Sequence, residues 1–341
     1  MNARYRGPLI LFFWIFAPVL LWLALKDTPL AGILETIQKL QLWQVVVLVL
    51  LNASIILLIC TRWHLILRTL KRPVPFIALM GYRLAGFAIS YFTPGTQFGG
   101  EPLQVLLLQQ RHKIPGSAAV SSVYLDKLLE VLSNFTFLVI GLIVLFQRGL
   151  LSQLPNVWLG WIIPVVILFP SAHMIALWCG RRPLGAMIRK MCQYFPRVLI
   201  FCRIHDLVYQ AEEEIMIFAR QKPLVLLHSL VISALVWVIM IIEFGLVYRF
   251  LGASLPLMEV ITAMVLARFS FLVPVPAGLG ALEGSQVLAM GLLGVDPAVG
   301  VAACLWIRLR DITLGLTGAW VGSLFAGKTI RNGRKSVDNN R

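Results

Sequence analysis

Six long apolar runs constrain the fold more than any other feature of the chain. An α-helix needs about 20 mostly apolar residues to cross the hydrocarbon core of a bilayer. Because that core offers the backbone no water to hydrogen-bond, segments of this kind are helical. Candidate spans cover residues 9–25, 42–60, 118–146, 157–179, 223–248 and 298–326. Only 13% of the residues are charged, against about 25% in soluble domains, so we predict an all-α, polytopic integral membrane protein.

The first run, 9–25, also resembles the apolar part of a signal peptide. It is longer than the usual apolar region of about 7–15 residues, and no small-residue cleavage site follows it. We therefore expect it to be an uncleaved first span.

Two further apolar zones, 76–110 and 257–293, are interrupted by helix-breaking residues. The break residues are Pro94, Gly95, Gly99 and Gly100 in the first zone and Pro276, Gly278 and Gly280 in the second. Each half of a zone is of marginal length for crossing the membrane alone. We predict that each zone forms a broken half-helix hairpin that enters and leaves on one side of the membrane, which gives about six full transmembrane helices plus two such hairpins.

The basic residues predict the orientation. Twenty-one of the 30 lysines and arginines fall in segments that are cytoplasmic if the N-terminus is inside, and four fall outside. This bias follows the positive-inside rule and predicts that both termini are cytoplasmic. Orientation and anionic lipid head groups explain the net charge of +15, so we do not expect a nucleic acid partner.

These features predict one membrane domain, residues 1–326, with a first repeat at about 9–146 and a second at about 157–326. Residues 181–222 alternate basic and apolar side chains. They form either a cytoplasmic amphipathic insertion that lies on the inner leaflet or a simple connector. Residues 327–341 form a basic cytoplasmic tail.

The two broken zones resemble each other. PGTQFGGE at 94–101 aligns with PAGLGALE at 276–283, and Lys127-x-x-Glu130 aligns with Arg308-x-x-Asp311. Arg83 and Arg268 occupy similar places upstream of the two breaks. With the predicted orientation, the halves are inverted copies. Inverted repeats with broken helices near the bilayer midplane are a recurrent transporter architecture.

Eleven charged residues lie within apolar segments, where exposure to lipid would cost about 2.5–3.5 kcal/mol each. They must face the protein interior, and Lys127 with Glu130, like Arg308 with Asp311, share a helix face. One interpretation is a set of buried ion pairs that lock the repeats together. Capping of the half-helices is an alternative role for the two glutamates that follow the breaks. The other interpretation is a polar cavity for an anionic head group, with a substrate pathway formed by Arg83, Glu101, Lys127, Glu130, Arg268, Glu283, Arg308 and Asp311.

Metal and redox chemistry have no signal in the sequence. The five cysteines and five histidines are scattered without ligand spacing. We therefore expect free thiols, no metal site, no cofactor and no catalytic residue.

The residues PGTQFGGE with K-x-x-E, and PAGLGALEG with R-x-x-D, resemble the flippase-like membrane domain of the lysylphosphatidylglycerol synthase family in its stand-alone form. The resemblance covers about 9–326. It implies a role in moving or handling lipid-linked polar head groups across the inner membrane of a bacterium. Only about 15 polar residues follow residue 326, where aminoacyl-transferring members carry a soluble catalytic domain, so lipid aminoacylation by this chain alone is not expected.

Three functions remain open at this point. The first is a lipid or glycolipid translocator whose substrate is a membrane phospholipid or a polyprenyl-linked glycolipid. The second is an integral membrane transferase, and the third is a non-catalytic scaffold in envelope lipid biosynthesis. Envelope-biosynthesis enzymes are candidate partners, and the sequence leaves the oligomeric state open.

Overall fold

The computed structural model describes residues 40–92, 99–149, 172–173, 175–177, 179–194, 199–271 and 280–338. All regular secondary structure in this part of the chain is helical. The helices are α1 Leu42–Thr69, α2 Phe76–Phe92, α3 Glu101–His112, α4 Gly116–Gln147, α5 Pro183–Tyr194, α6 Leu199–Gln221, α7 Pro223–Phe250, α8 Leu257–Ser270, α9 Ala281–Leu292 and α10 Pro297–Asp338. The predicted all-α class is confirmed.

The long helices coincide with predicted spans. Helices α1, α4 and α7 are, among the described helices, the three that are long and apolar enough to cross a membrane. Helix α10 begins where the last span was predicted but continues to Asp338, through most of the predicted basic tail. The predicted span at 9–25 lies outside the described residues, as does most of 157–179.

Each broken zone forms two short helices, as predicted. The first zone gives α2 with 17 residues and α3 with 12, and the second gives α8 with 14 and α9 with 12. Helix α9 packs against both α8 and α10. The break residues Pro94, Gly95, Pro276 and Gly278 lie outside the described residues.

The chain divides into two compact units. The first contains Met1–Asn52, Gly81–Leu103 and Ile241–Arg341, and the second contains Ala53–Met80 and Gln104–Met240. The described part of the first unit contains the starts of α1 and α3, most of α2 and the end of α7. It also contains helices α8, α9 and α10.

The second unit has its own apolar core. Side chains from α1, α4, α6 and the start of α7, together with Leu177 from the short described stretch 175–177, form it. Its buried members are Ile66, Leu125, Leu128, Leu129, Leu177, Ile215, Phe218, Ala219 and Leu226. Helix α6 packs against both α4 and α5. The segment 181–222 therefore provides a core helix of this unit as well as a surface helix.

One cysteine corrects a sequence expectation. Cys60, Cys179 and Cys304 are free, but Cys192 in α5 is disulfide-bonded. The expectation of five free thiols is therefore wrong. Sequence spacing does not reveal such a bond, because the packing of helices in three dimensions determines which cysteines approach each other.

Candidate functional site

A buried ion pair joins α9 to α10 in the first unit. Glu283 lies in the first turn of α9, directly after the second break. Arg308, in α10, donates from Nε to Oε1 of Glu283, and the two side chains are only 9% and 3% exposed. The Arg308 side chain also hydrogen-bonds to Tyr91 in α2. Two of the predicted site residues are thus in direct contact.

A second ionic group lies around Arg310, also in α10. Its Nη1 donates to Oε1 of Glu243 at 2.9 Å, and its Nε donates to Oδ1 of Asp311 at 2.8 Å. Asn52 Nδ2 donates to the same Glu243 oxygen at 2.7 Å. Glu243 is 2% exposed. A buried carboxylate is tolerated in apolar surroundings only when charged and polar groups compensate it in this way.

We call these five residues the charged cluster of the first unit. Its members are Glu243, Glu283, Arg308, Arg310 and Asp311. Three carboxylates face two guanidinium groups, so the cluster is balanced to within one charge. A buried phosphate could bind there only if it displaced a carboxylate from an arginine or if a carboxylate took up a proton.

Both broken zones restart their second helix with the same device. Glu101 Oε2 accepts a hydrogen bond from the backbone N–H of Gly99 at 2.8 Å, and Glu283 Oε2 accepts one from Gly280 at 2.9 Å. Gly280 directly precedes α9, so Glu283 satisfies an N–H group that this helix leaves unpaired, whereas Gly99 lies two residues before α3. Both carboxylates lie at the positive end of a helix dipole. The capping role is present at Glu283, which binds Arg308 with its other oxygen.

Glycine at the first break allows a very close contact with α2. A Cβ atom on Gly100 would lie 2.0 Å from the carbonyl oxygen of Gly86. The Gly100 N–H donates to Ser90 Oγ at 2.9 Å. No side chain can be accommodated there without a backbone shift, which explains the glycine immediately before α3.

Hydrogen-bonded polar groups also connect α9 with α7 and α8. Gln286 is fully buried, its Nε2 donates to the Ala263 carbonyl at 2.9 Å, and its Oε1 accepts from the Tyr248 hydroxyl. Gln286 lies one turn after Glu283. These bonds fix the rotation of α9 and so the direction in which Glu283 points.

The second unit contains a separate buried ion pair. Arg62 in α1 donates from Nε to Oδ1 of Asp126 in α4 at 2.7 Å, and from Nη1 to Ser233 Oγ in α7 at 2.8 Å. Arg62 is 2% exposed and Asp126 is 1% exposed. The predicted span ended at residue 60, whereas α1 continues to Thr69 and so includes Arg62.

Lys127 and Glu130 form the predicted i,i+3 pair in the second unit. Nζ of Lys127 and Oε1 of Glu130 are 2.8 Å apart, and their side chains are 16% and 37% exposed. By contrast, Arg308 pairs with Glu283, and Asp311 pairs with Arg310. Their shared helix face had predicted a pair between Arg308 and Asp311. Arg83 and Arg268 are half-buried in α2 and α8 of the first unit.

The residues that sequence reasoning missed all depend on pairing between helices. Glu243 lacks a repeat counterpart, Arg310 lies beside the expected Arg308, and Arg62 follows the predicted end of a span. A charged residue in an apolar helix signals that a partner exists. A single sequence does not show which residue on another helix supplies it.

Comparison with known families shows to which family the chain belongs. The model of the family described as the lysylphosphatidylglycerol synthase TM region matches residues 10–318. The chain belongs to this family. The match agrees with the resemblance found in the two broken zones and extends over both predicted repeats.

Three relatives that align with most of this chain are archaeal membrane proteins. A UPF0104 membrane protein of Methanothermobacter thermautotrophicus is 25% identical over 78% of this chain and 80% of its own length. The UPF0104 membrane protein MJ1595 of Methanocaldococcus jannaschii is 21% identical over 84% of this chain and 85% of its own. The UPF0104 membrane protein PH1989 of Pyrococcus horikoshii is 20% identical over 89% of this chain and 92% of its own length. No solved structure matches the chain.

The family and the apolar helices together identify a multi-pass membrane protein related to lipid metabolism. The relatives match the chain over most of their length, which is consistent with a stand-alone membrane domain of the family.

Proposed function

We propose that this chain moves a lipid, or a lipid-linked head group, across the membrane and that the charged cluster binds the anionic part of the head group. The observation that carries the proposal is Arg308, a guanidinium buried in an apolar helical unit and held by Glu283 at the start of a broken helix. A guanidinium matches a phosphate in geometry and charge. A broken helix at membrane depth is tolerated where protein or a water-filled path covers it.

The Glu283 carboxylate then acts as a tethered substitute for the substrate's phosphate. It neutralises Arg308 while no head group is bound. When a phosphodiester approaches, the carboxylate gives up Arg308 and keeps its bond to the Gly280 N–H, so neither group is left without a partner. Arg310 remains paired with Glu243 and Asp311 and holds α10 in place.

The charge bias supports the orientation in this proposal, and the family supports a link to lipids. The protein lies in the plasma membrane of a bacterium with both termini cytoplasmic, and the other candidate pathway residues, Arg83, Glu101, Lys127, Glu130 and Arg268, contact the lipid on its way. The substrate is a membrane phospholipid or a polyprenyl-linked glycolipid, and envelope-biosynthesis enzymes supply or consume it.

A scaffold is the second candidate, because every member of the charged cluster is paired. In that case the ion pairs only hold helices together. A double variant separates the two functions. Glu283→Gln with Arg308→Met removes both charges and leaves no unpaired buried ion, so the fold is retained.

The test reconstitutes the full chain into vesicles that contain fluorescently labelled phosphatidylglycerol or phosphatidylcholine. An impermeant quencher removes the fluorescence of labelled lipid in the outer leaflet only. The fraction of fluorescence lost over time therefore reports movement of the lipid across the bilayer. We expect movement of the anionic lipid with wild type and with Arg249→Gln, an exposed arginine at the end of α7. We expect none with the folded double variant. Equal movement by wild type and the double variant would contradict the role of the cluster.

A further inference from the structure

A cavity of about 380 Å³ lies in the second unit where α1 turns into α2. Its lining is His64, Arg68, Pro73, Val74, Pro75 and Phe76. Helix α1 ends here with Lys71 in the left-handed region, and the chain then runs through Pro-Val-Pro into α2. This volume lies within the range of small-ligand sites, which is about 300–1,000 Å³.

The polar groups of the cavity come from two residues one turn apart on α1. Arg68 is exposed in the last turn of the helix. Nδ1 of His64 is shielded from solvent, and no hydrogen bond of good geometry reaches it from the described residues, although the Val74 backbone lies close to the ring. The His64 ring contacts Phe76 edge-on, with centroids 5.7 Å apart. The ring is therefore held in place at the wall of the cavity.

The basic charge around the cavity has no acidic partner in the described part of the chain. Arg68, Lys71 and Arg72 are exposed, and none of them forms an ion pair with a described residue. Between residues 36 and 100 the sequence contains no aspartate or glutamate. Three cations beside a cavity thus favour an anion from outside the protein.

The position of the cavity favours a lipid over a soluble anion. Helix α1 is long and apolar enough to cross the membrane, so its end lies at the boundary between hydrocarbon and water. Ile77, next to the cavity in the first turn of α2, is 82% exposed. An apolar side chain beside a basic cavity suits an acyl chain beside its own head group.

We propose that this cavity binds the head group of one anionic phospholipid, with Arg68 against the phosphate and His64 hydrogen-bonded to a head-group oxygen. The site is separate from the charged cluster and does not depend on the proposed transport. It gives the second unit a lipid ligand of its own.

The test is a titration of the purified, delipidated full chain with short-chain phosphatidylglycerol, followed by native mass spectrometry. Short-chain phosphatidylcholine and inorganic phosphate are the comparison ligands. Arg68→Gln removes the cation, and His64→Phe keeps the ring and removes both nitrogens. Arg249→Gln is the matched control, because Arg249 also lies in the last turn of a membrane-length helix.

We expect one phosphatidylglycerol to bind more tightly than phosphatidylcholine. Arg68→Gln should weaken this binding about fivefold, since a basic residue near an anionic membrane surface contributes ~1 kcal/mol. His64→Phe should also weaken it, and Arg249→Gln should not. Equal binding of the two lipids, equal losses in the Arg68 and Arg249 variants, or competition by inorganic phosphate as strong as by the lipid would each overturn the proposal.

Discussion

Glu283 and Arg308 depend on each other because both are buried among apolar side chains. Each is less than a tenth exposed, and they belong to different helices. Removing both charges costs little when well-packed side chains replace them, but removing one leaves the other buried without a partner. The ion pair therefore fixes the relation of α9 to α10 whatever it binds.

A double-mutant cycle tests this dependence. Arg308→Met alone should lower the free energy of unfolding by about 3–5 kcal/mol, the usual cost of breaking a buried ion pair. Adding Glu283→Gln should restore most of that loss. Thermal unfolding of the four proteins in one detergent measures it. If the two single losses simply add, the residues do not form a buried pair.

We expect the buried carboxyl group of Glu212, in α6, to make the stability of the protein depend on pH. It is fully buried and accepts hydrogen bonds from the backbone N–H groups of Leu184 at 3.0 Å and Gly185 at 2.8 Å, at the start of α5. Burial raises the pKa of the Glu212 carboxyl, and the two hydrogen bonds and Arg182 oppose this in part. A raised pKa means that the folded protein holds the proton more strongly than the unfolded chain.

Stability from Glu212 should therefore fall as the pH rises from the ordinary carboxyl range through the raised pKa. In Glu212→Gln, the melting temperature should change less with pH across this interval. Glu213→Gln is the control, because the neighbouring side chain is 46% exposed and pairs with Arg182 at the surface. A Glu212→Gln profile that keeps the wild-type slope would show that another group carries it.

Residue by residue, the sequence predicted which charges are buried better than it predicted their partners. Glu283 and Arg308 were both expected in the site, and they meet. Arg62 and Asp126 were not expected to meet, because they lie 64 residues apart on different helices. Insertion energetics identify a charge that needs compensation, but only the packing of helices determines which group provides it.

At the scale of helices, α10 packs on α2 through glycine. A Cβ atom on Gly318 would lie 2.0 Å from the carbonyl oxygen of Leu84, and one on Gly322 would lie 3.3 Å from the Cβ atom of Ala85. Glycines four residues apart form one face of a helix and allow close backbone approach, as in membrane helix pairs. The same helix α10 carries Arg308, so this contact also positions the charged cluster.

Gly318→Ala should destabilise the protein by about 1–3 kcal/mol, because the added methyl group forces the two helices apart. Gly291→Ala in α9 is the matched control. Nothing lies within 4 Å of the added carbon there, and alanine favours a helix by up to about 1 kcal/mol over glycine. Denaturation in detergent compares the two variants. Equal stability changes would contradict the tight α2–α10 contact.

The helices themselves were predictable where apolar character is uninterrupted. The predicted span 118–146 corresponds to α4 and 223–248 to α7, within two residues at each end. The predicted span 42–60 stopped nine residues before the end of α1, because the polar sequence after Cys60 resembles a loop. Tertiary partners for Arg62 keep it inside the helix, and a sequence window does not contain that information.

For the whole molecule, the central claim is that the two halves carry equivalent broken zones inserted from opposite sides. The similar bonds from Glu101 and Glu283 to a glycine N–H just before α3 and α9 support a repeat. The positive-inside bias supports the opposite orientation. If both hold, each pair of short helices begins and ends on one side of the membrane.

Cysteine labelling in intact cells tests this claim most directly. Single cysteines replace Ile77 and Gln110 near the ends of the first pair. In the second pair they replace Leu257, at the start of α8, and Pro297, which follows α9 as the first residue of α10. All four positions are exposed, and the background lacks native cysteines. An impermeant maleimide should label positions 257 and 297 from outside, and positions 77 and 110 only after the cytoplasmic side is opened. Labelling of the two ends of either pair from opposite sides would contradict the account.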